Sequence, residues 1–150
     1  MQEFSIRLAL PSEKLELEQL QMRASLANEG DRDALRAHPD AIQVPREQIA
    51  GGRVFVSECE GAIVGFAAIE PRQDGQIELD GLFVEPLMQR RGIAKALIEY
   101  CAEVVRKQRV TAIHVVGNPH AVEFYSACGF EVIGTTETRF GQGILMRKPV

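Results

Sequence analysis

The feature that most constrains the fold is a run of strand, turn, helix and strand in the middle of the chain. Residues 76–84 have the composition of a β-strand, and residues 91–107 place apolar and charged side chains on opposite faces of a helix. Residues 110–116 are almost wholly apolar, which is typical of a buried parallel strand. A crossover through one helix joins parallel strands, so these two strands are predicted to be parallel neighbours with a right-handed connection.

The remaining strands are predicted to be antiparallel. Residues 4–10 alternate apolar and polar side chains, and two β-rich runs at 53–59 and 62–69 are separated only by a Glu-Gly turn. Residues 130–134 and 143–146 are predicted to close the chain as a last pair. The sequence therefore predicts an α/β fold of mixed α+β character. Its sheet is mainly antiparallel, with about six or seven strands and one parallel pair, flanked by about four helices.

Three further segments are predicted to be helical. The spacing of apolar residues predicts a helix over residues 13–28, with Glu29 and Gly30 as its stop signal. Residues 31–50 are polar and interrupted by two prolines, which predicts short helical pieces in a mobile connection. Residues 119–128 are predicted to form a helix that ends at Gly129 in a left-handed conformation.

Length and charge bound the domain count and the class of partner. With 150 residues and 45% hydrophobic composition, the chain can bury one core, so residues 1–150 are predicted to form a single domain. The formal net charge of -4 is spread along the chain, so no basic stripe is offered to a nucleic acid. This mild acidity weakly favours a cationic small substrate.

The cysteines and the N-terminal segment bear on the cellular compartment. Cys59, Cys101 and Cys128 make an odd count, and each lies in an apolar run where a reduced, buried thiol is the usual outcome. The N-terminus has no basic segment followed by a long apolar one, and no stretch approaches the roughly 18 apolar residues of a membrane span. A cytoplasmic protein is therefore predicted, without a membrane partner.

The stretch from Val84 to Ala94 ends a strand, turns and opens directly into the long helix. Free backbone N–H groups at such a helix start, together with the helix dipole, favour an anion. Gly92 lets the backbone approach a ligand closely, and Arg90 and Arg91 add two cations. Glycines and solvated arginines also occur in purely structural turns. The spacing matches neither a P-loop nor a dinucleotide-binding motif.

The six residues from Gln89 to Ala94 resemble the [Gln/Arg]-x-x-Gly-x-[Gly/Ala] signature of the GNAT superfamily of N-acetyltransferases, and the preceding strand also matches. Ala94 takes the place of the commoner glycine. The resemblance implies a GNAT-like fold in which backbone amides of this turn bind the pyrophosphate of acetyl-coenzyme A. The residues that it assigns to the coenzyme here are Gln89, Arg90, Arg91, Gly92, Ile93, Ala94 and Lys95.

A second match extends from Asn118 to Phe130 and is similar to the family's Asn-x-x-Ala-x-x-x-Tyr helix followed by Gly-Phe. Helical geometry puts Asn118, Ala121 and Tyr125 on one side, which the resemblance implies faces the coenzyme. Asn118 is also a good N-cap ahead of Pro119, so both roles are expected of it. Tyr125 is either a core residue or a functional one. The resemblance favours function, because it puts the hydroxyl near the thioester sulfur.

Transfer from a thioester to an amine needs a neutral amine, a stabilised oxyanion and a proton for the departing thiolate. Glu78 is the first candidate for the base, and Asp80, two residues further along the same strand face, is the second. Either carboxylate can instead be a solvated strand charge. Tyr125, whose side chain has a reference pKa of about 10, is the predicted acid.

The resemblance also implies an opening between the two parallel strands. In the family, the two parallel strands splay apart, which here corresponds to residues 82–84 facing residues 115–118. The splay leaves unpaired backbone amides for the coenzyme's pantetheine arm. The backbone N–H groups near Leu82, Phe83 and Val84 are the predicted oxyanion donors.

The predicted activity is acetyl transfer from acetyl-coenzyme A to a primary amine of a small molecule or peptide, by direct attack in a ternary complex. A covalent route is disfavoured because Cys101 is mid-helix and Cys128 ends a helix. The three histidines show no metal-ligand spacing with the cysteines, so no metal is predicted. Two alternatives stay open, a non-catalytic acyl-coenzyme A sensor and a regulatory interaction module. A homodimer is predicted only because members of the family that the sequence resembles often form dimers.

The acceptor is expected to contact the least patterned segments, which are the first helix, residues 31–50 and a predicted loop at 135–142. His120, beside the second motif, is expected to be a surface residue. Acidic side chains in these segments are candidates for binding a cationic group, namely Glu13, Glu16, Asp33 and Asp40.

Overall fold

A computed structural model describes residues 3–150, apart from the side chains of residues 29 and 30. Residues 1 and 2, which the predicted domain includes, lie outside the described residues. Seven strands form one sheet in the order β1-β2-β3-β4-β5-β7-β6, with β4 and β5 parallel and every other pair antiparallel. This confirms the predicted fold class. The strands are β1 (Ser5–Leu8), β2 (Val54–Cys59), β3 (Ala62–Pro71), β4 (Ile77–Val84), β5 (Ala112–Gly117), β6 (Glu131–Thr138) and β7 (Gly141–Pro149).

The described chain contains five α-helices where about four were expected. The additional one lies in the connection after the first helix, where the expected short helical pieces include two α-helices. The first of these starts at Glu29, so Glu29 and Gly30 begin a helix instead of ending one. None of these helices is both long and apolar enough to cross a membrane. They are α1 (Lys14–Ala27), α2 (Glu29–Ala37), α3 (Arg46–Ala50), α4 (Ile93–Arg106) and α5 (Val122–Ala127), with short 3-10 turns at Pro11–Glu13, Pro39–Ala41, Pro86–Met88 and Pro119–Ala121.

The two faces of the sheet are covered by different helices. Helix α4 buries its apolar face, including Leu97 and Val105, against one side, as its amphipathic pattern predicts. Leu17 and Leu20 of α1 pack on the other side against a cluster that includes Phe66. Each such fully buried side chain contributes about 1.5–3 kcal/mol relative to exposure. The sheet is therefore held between two hydrophobic layers.

The predicted loop at 135–142 is wrong, because these residues belong to a β-hairpin. Strand β6 continues to Thr138 and β7 begins at Gly141, with Thr138 paired to Gly141 at the end of the ladder. The segment is rich in β-branched threonine, which favours strands, and Gly141 supplies a positive φ of 109° at the turn. The hairpin reaches far beyond the expected last strand pair.

The parallel pair β4 and β5 is joined over a short distance only. Ile77 pairs with Ile113 and Glu78 pairs with His114, after which β4 continues beside β3 and β5 beside β7. Beyond these two pairs the strands diverge, so the expected splay is present. Asp80 lies at a β-bulge in β4, since Gly81 pairs with Ala68 and Leu79 with the next residue of β3.

Candidate active site

The divergence of β4 and β5 opens onto a cavity of about 710 Å³. Its floor is formed by residues 79–83 of β4 and by residues 115–118, where β5 ends. Helices α1 and α2 line one side, and the tip of the β6–β7 hairpin lines another. The cavity therefore lies at the carboxyl ends of two parallel strands, where the chain leaves the sheet and backbone groups lose their partners.

Backbone N–H groups point into the gap from β4. The N–H of Glu85 donates to Val64 O of β3 at 2.8 Å, and N–H groups alternate in direction along a strand. Phe83 N–H therefore faces β3, whereas the N–H groups of Leu82 and Val84 face the diverging β5. Of the three predicted oxyanion donors, the N–H groups of Leu82 and Val84 therefore face the gap and that of Phe83 does not. The ring of Phe83 packs against Phe66 at a centroid distance of 5.4 Å.

Strand β5 presents matching groups on its side of the gap. Ala112 N–H points toward β4, where it donates to the Gln76 side chain at 2.9 Å, so Val116 N–H points the same way by alternation. On its other edge, β5 stays paired with β7 as far as Gly117. A ligand in the gap therefore meets backbone donors and acceptors on both sides, in the manner of an inserted strand.

The turn from Gln89 to Ala94 has the geometry of an anion site. Arg90 and Gly92 both have positive φ, 64° and 79°, and Gly92 is the N-cap of α4. The first backbone hydrogen bond of the helix runs from Ala96 N–H to Gly92 O at 3.0 Å, so Ile93, Ala94 and Lys95 have no intrahelical acceptor. Their N–H groups and the helix dipole point toward the same solvent-exposed space.

Side chains leave this turn open. Apart from Gly92 itself, its chain neighbours and the nearby backbone of α4, no atom of the described residues lies within 4 Å of a Cβ built on Gly92. Gln89, Arg90 and Lys95 are exposed, whereas Ile93 is buried in the core and so can offer a ligand only its backbone. The turn does not line the large cavity. The predicted coenzyme residues thus fall into two groups, one at this turn and one in the gap between the strands.

Asn118 lies at the N-cap position of the Pro119–Ala121 turn, but its side chain does not cap it. Its backbone carbonyl accepts the N–H of Ala121 at 3.0 Å, and its Nδ2 donates instead to Asp31 Oδ1 at 3.0 Å. The predicted side-chain cap is therefore wrong. The Oδ1 of Asn118 is buried and has no hydrogen-bond partner within the described part of the chain. It remains able to accept a donor from a ligand, since Asn118 and Ala121 both line the cavity.

Tyr125 is half-buried and also lines the cavity. Its ring lies against the end of β5, where a Cβ added to Gly117 would be 3.4 Å from two ring carbons. It makes an edge contact with Phe130 at 5.3 Å. Burial raises the pKa of the Tyr125 phenol to about 12, so the hydroxyl keeps its proton at neutral pH. Tyr125 is both a packed residue and one with access to the cavity.

Glu78 and Asp80 line two different cavities. Glu78 accepts a hydrogen bond from Arg72 Nη1 at 2.8 Å and lines a separate small cavity of about 80 Å³ with His114. Asp80 lines the large cavity, and its Oδ2 accepts from Nε2 of the buried Gln48 at 3.3 Å. The bulge at Asp80 breaks the simple alternation that would have given both carboxylates one environment. The two candidate bases are therefore not equivalent.

The cysteines are placed unfavourably for covalent chemistry. Cys59, Cys101 and Cys128 are all free and buried. Burial raises the pKa of Cys101 to about 12 and also raises the pKa of Cys128. A buried thiol with a raised pKa carries little thiolate, which is the reactive form. This favours direct attack by the acceptor.

The acidic residues predicted to bind a cationic acceptor do not line the cavity. Glu13 forms an ion pair with Arg7 at 2.8 Å, and Asp40 forms one with Arg139 at 3.0 Å. Glu16 and Asp33 are exposed elsewhere. His120 is exposed, as expected, and it also lines the cavity.

Asp31 lines the cavity, and sequence reasoning missed it. It precedes Asn118, its hydrogen-bond partner, by 87 positions in the chain, so no local spacing reveals the contact. Burial raises the pKa of the Asp31 carboxyl above its ordinary value. A polar segment interrupted by prolines offered no signal that would have distinguished this carboxylate from its neighbours.

The hairpin tip closes one side of the cavity. Arg139 reaches across to Asp40, and its guanidinium carbon lies 5.0 Å from the ring centroid of Phe140. Phe140 in turn makes an edge contact with His38 at a centroid distance of 5.3 Å. The segment that follows α2 and the β6–β7 hairpin thus meet over the cavity through one ion pair and one ring contact.

Comparison with known proteins places this geometry in a family. The profile of the "Acetyltransferase (GNAT) family" matches residues 16–130. A spermine/spermidine N(1)-acetyltransferase of Bacillus subtilis (strain 168) is 28% identical over 100 residues, which is 59% of this chain and 65% of that protein. A peptidyl-lysine N-acetyltransferase, YiaC, of Escherichia coli (strain K12) is 33% identical over 95 residues, 63% of this chain and 61% of that protein. The chain thus spans less than two thirds of each of these relatives.

A solved structure supports the fold over the whole chain. The PaiA N-acetyltransferase of Thermoplasma acidophilum, crystallised in complex with coenzyme A, superimposes with a TM-score of 0.77 at 16% identity and covers 99% of both chains. The matched residues 16–130 include the Gln89–Ala94 turn, the diverging strands and Tyr125. Because the family profile spans well over half of the sequence, the chain belongs to the GNAT family of acetyltransferases.

Proposed function

We propose that this protein is an N-acetyltransferase that moves an acetyl group from acetyl-coenzyme A to a primary amine by direct attack in a ternary complex. One observation carries the proposal. Strands β4 and β5 separate after Glu78 and His114, and this directs unpaired backbone N–H groups at a cavity that Tyr125 lines. A thioester carbonyl held in that gap would meet donors on one side and a phenol proton on the other.

The coenzyme binds to both groups of predicted residues, those at the Gln89–Ala94 turn and those in the gap between β4 and β5. Its pyrophosphate accepts hydrogen bonds from the N–H groups at the start of α4, with Gln89, Arg90 and Arg91 around it. Its pantetheine arm runs through the gap between β4 and β5, beside Asn118 and Ala121. The buried, unpartnered Oδ1 of Asn118 supports this course, because it is an acceptor that a pantetheine amide N–H would satisfy.

The reaction follows from the groups that face the cavity. Asp80, directly or through a water, takes a proton from the acceptor ammonium, and the neutral amine attacks the thioester carbon. The N–H of Leu82, which lines the cavity, stabilises the resulting oxyanion, and the N–H of Val84 lies further along the same edge of β4. Collapse of this intermediate breaks the C–S bond, and Tyr125 gives its proton to the departing thiolate. The extra proton on the new amide nitrogen then passes, directly or through a water, to the Tyr125 phenolate, which restores the phenol. Glu78 is the second candidate for the base, although Arg72 already holds it in an ion pair.

The acceptor is proposed to be a primary amine on an alkyl chain. The two curated relatives are named for amines of this kind, spermine or spermidine and peptidyl lysine. Residues 1–150 are proposed to act as one domain, since a single sheet runs from Ser5 to Pro149. The three buried free cysteines support action in the reducing cytoplasm. A homodimer is proposed because it is a common state in the family.

The test is turnover across a panel of amines. Purified protein is incubated with acetyl-coenzyme A and polyamines, amino acids, aminoglycosides or peptide amines, while thiol release and acetylated product are followed by absorbance and mass spectrometry. Amine-dependent thiol release with a matching acetylated product supports the proposal. Tight coenzyme binding in calorimetry without turnover on any amine would indicate the sensor instead.

A further inference from the structure

We infer that Asp31 is the acceptor-binding carboxylate of this protein and that it pairs with the ammonium group of a primary alkylamine inside the large cavity. The inference rests on the proposed function and gives its acceptor side a named residue. Neither the coenzyme motifs nor the two candidate bases on β4 include this position.

The location of Asp31 favours contact with the acceptor near the reacting groups. Asp31 lies near the start of α2, is half-buried and lines the cavity. Its Oδ1 accepts from Asn118, which begins the turn that leads to Tyr125. The negative charge of Asp31 also acts on the Tyr125 phenol and helps to raise its pKa, after the larger effects of burial and of Cys128. An amine held by Asp31 would therefore be close to the proposed acid.

No cationic side chain around the cavity forms an ion pair with Asp31 among the described residues. Arg139 lines the cavity, but Asp40 already neutralises it. Within the described residues, Asp31 forms no ion pair, and its hydrogen-bond partner is an uncharged amide. His120 lines the same cavity and lowers the pKa of Asp31 through its charge, but this effect is smaller than that of burial. A partly buried carboxylate without a cation is costly, and burial accordingly raises the pKa of Asp31. An ammonium ion of the acceptor would supply the missing charge.

The uncharged walls define the rest of the acceptor. Leu35 of α2, Ile42 and the hairpin residue Phe140 line the same cavity as Asp31. Methylene groups bury favourably against such side chains, whereas a sugar or a carboxylate would lose hydration there. The chemical class that fits is an ammonium group on an alkyl chain, such as a polyamine or a lysine side chain.

The substitution Asp31→Asn removes the charge and keeps the shape. The amide oxygen of the new side chain can still accept the hydrogen bond from Asn118, so the packing of α2 against that turn is retained. Asp33→Asn is the matched control, because it removes the same charge two residues away on α2 from a side chain that is exposed and does not line the cavity.

The experiment measures ammonium binding directly, with n-butylamine and spermidine as probes and protein saturated with coenzyme A. We expect Asp31→Asn to weaken binding of both probes about 10-fold or more and to flatten its dependence on salt concentration. Asp33→Asn should stay within about twofold of the parent protein. Equal probe binding by parent and Asp31→Asn, or no probe binding by the parent, would overturn the inference.

Turnover separates this inference from the proposed function. If the parent acetylates spermidine and Asp31→Asn keeps the same KM for it, the inference fails while the function stands. If Asp31-dependent ammonium binding is measured but no amine is acetylated, the function fails and Asp31 still binds the cation. The KM for acetyl-coenzyme A should be the same in the parent and both variants.

Discussion

The two halves of the cleft differ in how they are assembled. On the coenzyme side, the anion turn is one contiguous stretch in which Gly92 starts a helix immediately after a strand. On the acceptor side, the contacts join distant parts of the chain, since Asp31 and Asn118 are 87 positions apart and Asp40 and Arg139 are 99 apart. The comparison teaches that the anion turn is encoded locally, whereas the cavity proposed to hold the acceptor is assembled only by the tertiary structure.

The largest expected effect tests the anion turn, which is encoded locally. Gly92→Asp should weaken coenzyme A binding about 100-fold or more, equivalent to roughly 2.7 kcal/mol, because it places a carboxylate where the pyrophosphate is proposed to bind. Calorimetry with coenzyme A measures the effect. The positive φ of Gly92 adds some backbone strain to any substitution, although Asp tolerates this conformation better than most residues, so a control with the same strain is needed.

Gly75→Asp is the control for this substitution. Gly75 also has a positive φ, 82°, and among the described residues no atom lies within 4 Å of a Cβ built there, but it is in the turn between β3 and β4. Its variant should bind coenzyme A like the parent protein. Similar losses in the two variants would show that backbone strain, and not the anion site, explains the Gly92 result.

The next effect tests the chemical step where the two halves meet. Tyr125→Phe should lower kcat about 100-fold through loss of the general acid, with acetyl-coenzyme A binding changed by less than about twofold. Steady-state kinetics and calorimetry measure the two quantities. Tyr100→Phe is the matched control, because Tyr100 packs on Phe55 in the core layer under α4. A Tyr125→Phe variant with the parent's kcat would remove the acid role.

The pH dependence of kcat follows from the same residue. A general acid must hold its proton, so activity is lost as pH rises through its pKa, and burial raises the pKa of Tyr125 to about 12. We therefore expect no fall in kcat from Tyr125 up to about pH 10, where a free tyrosine would already be half ionised. A basic limb near pH 8 or 9 that disappears in Tyr125→Phe would contradict this assignment.

A smaller effect separates the two carboxylates of β4. Asp80→Asn should lower kcat/KM for the amine about 10-fold, because Asp80 is the proposed base and lines the large cavity. Glu78→Gln should change it by less than about threefold, since Glu78 is held by Arg72 beside a different cavity. The two variants serve as controls for each other. A larger loss from Glu78→Gln would return the base to the residue that sequence reasoning placed first.

The smallest effect is expected at the hairpin tip. Arg139→Ala removes the contact with Asp40 and the stacking on Phe140, and should raise the KM for the amine about two- to fivefold, since an exposed ion pair contributes little. Coenzyme binding should not change. Arg106→Ala, which removes an exposed ion pair with Glu103 on α4, is the control. If both variants leave the amine KM unchanged, the hairpin does not bound the acceptor.

Much of the fold was predictable because its signals are local. The strand–helix–strand run, the hairpin turn between β2 and β3, and the helix stop at Gly129 with its φ of 94° each depend on neighbouring residues. The two errors in element boundaries also have local causes. Helix α2 begins at Glu29, immediately after α1 ends, where only a stop signal was expected, and threonine-rich residues extended β6 through a segment that was expected to be a loop.

The sequence by itself determined the order of the elements and the helix start at Gly92, because backbone conformation and hydrophobic period depend on residues within a few positions. Only the tertiary structure decided that Asp80 and not Glu78 lines the large cavity, that Asn118 bonds Asp31 instead of capping its turn, and that the hairpin covers the cavity. These outcomes depend on a β-bulge and on contacts between distant segments. Tertiary packing determines both, so no local sequence pattern predicts them.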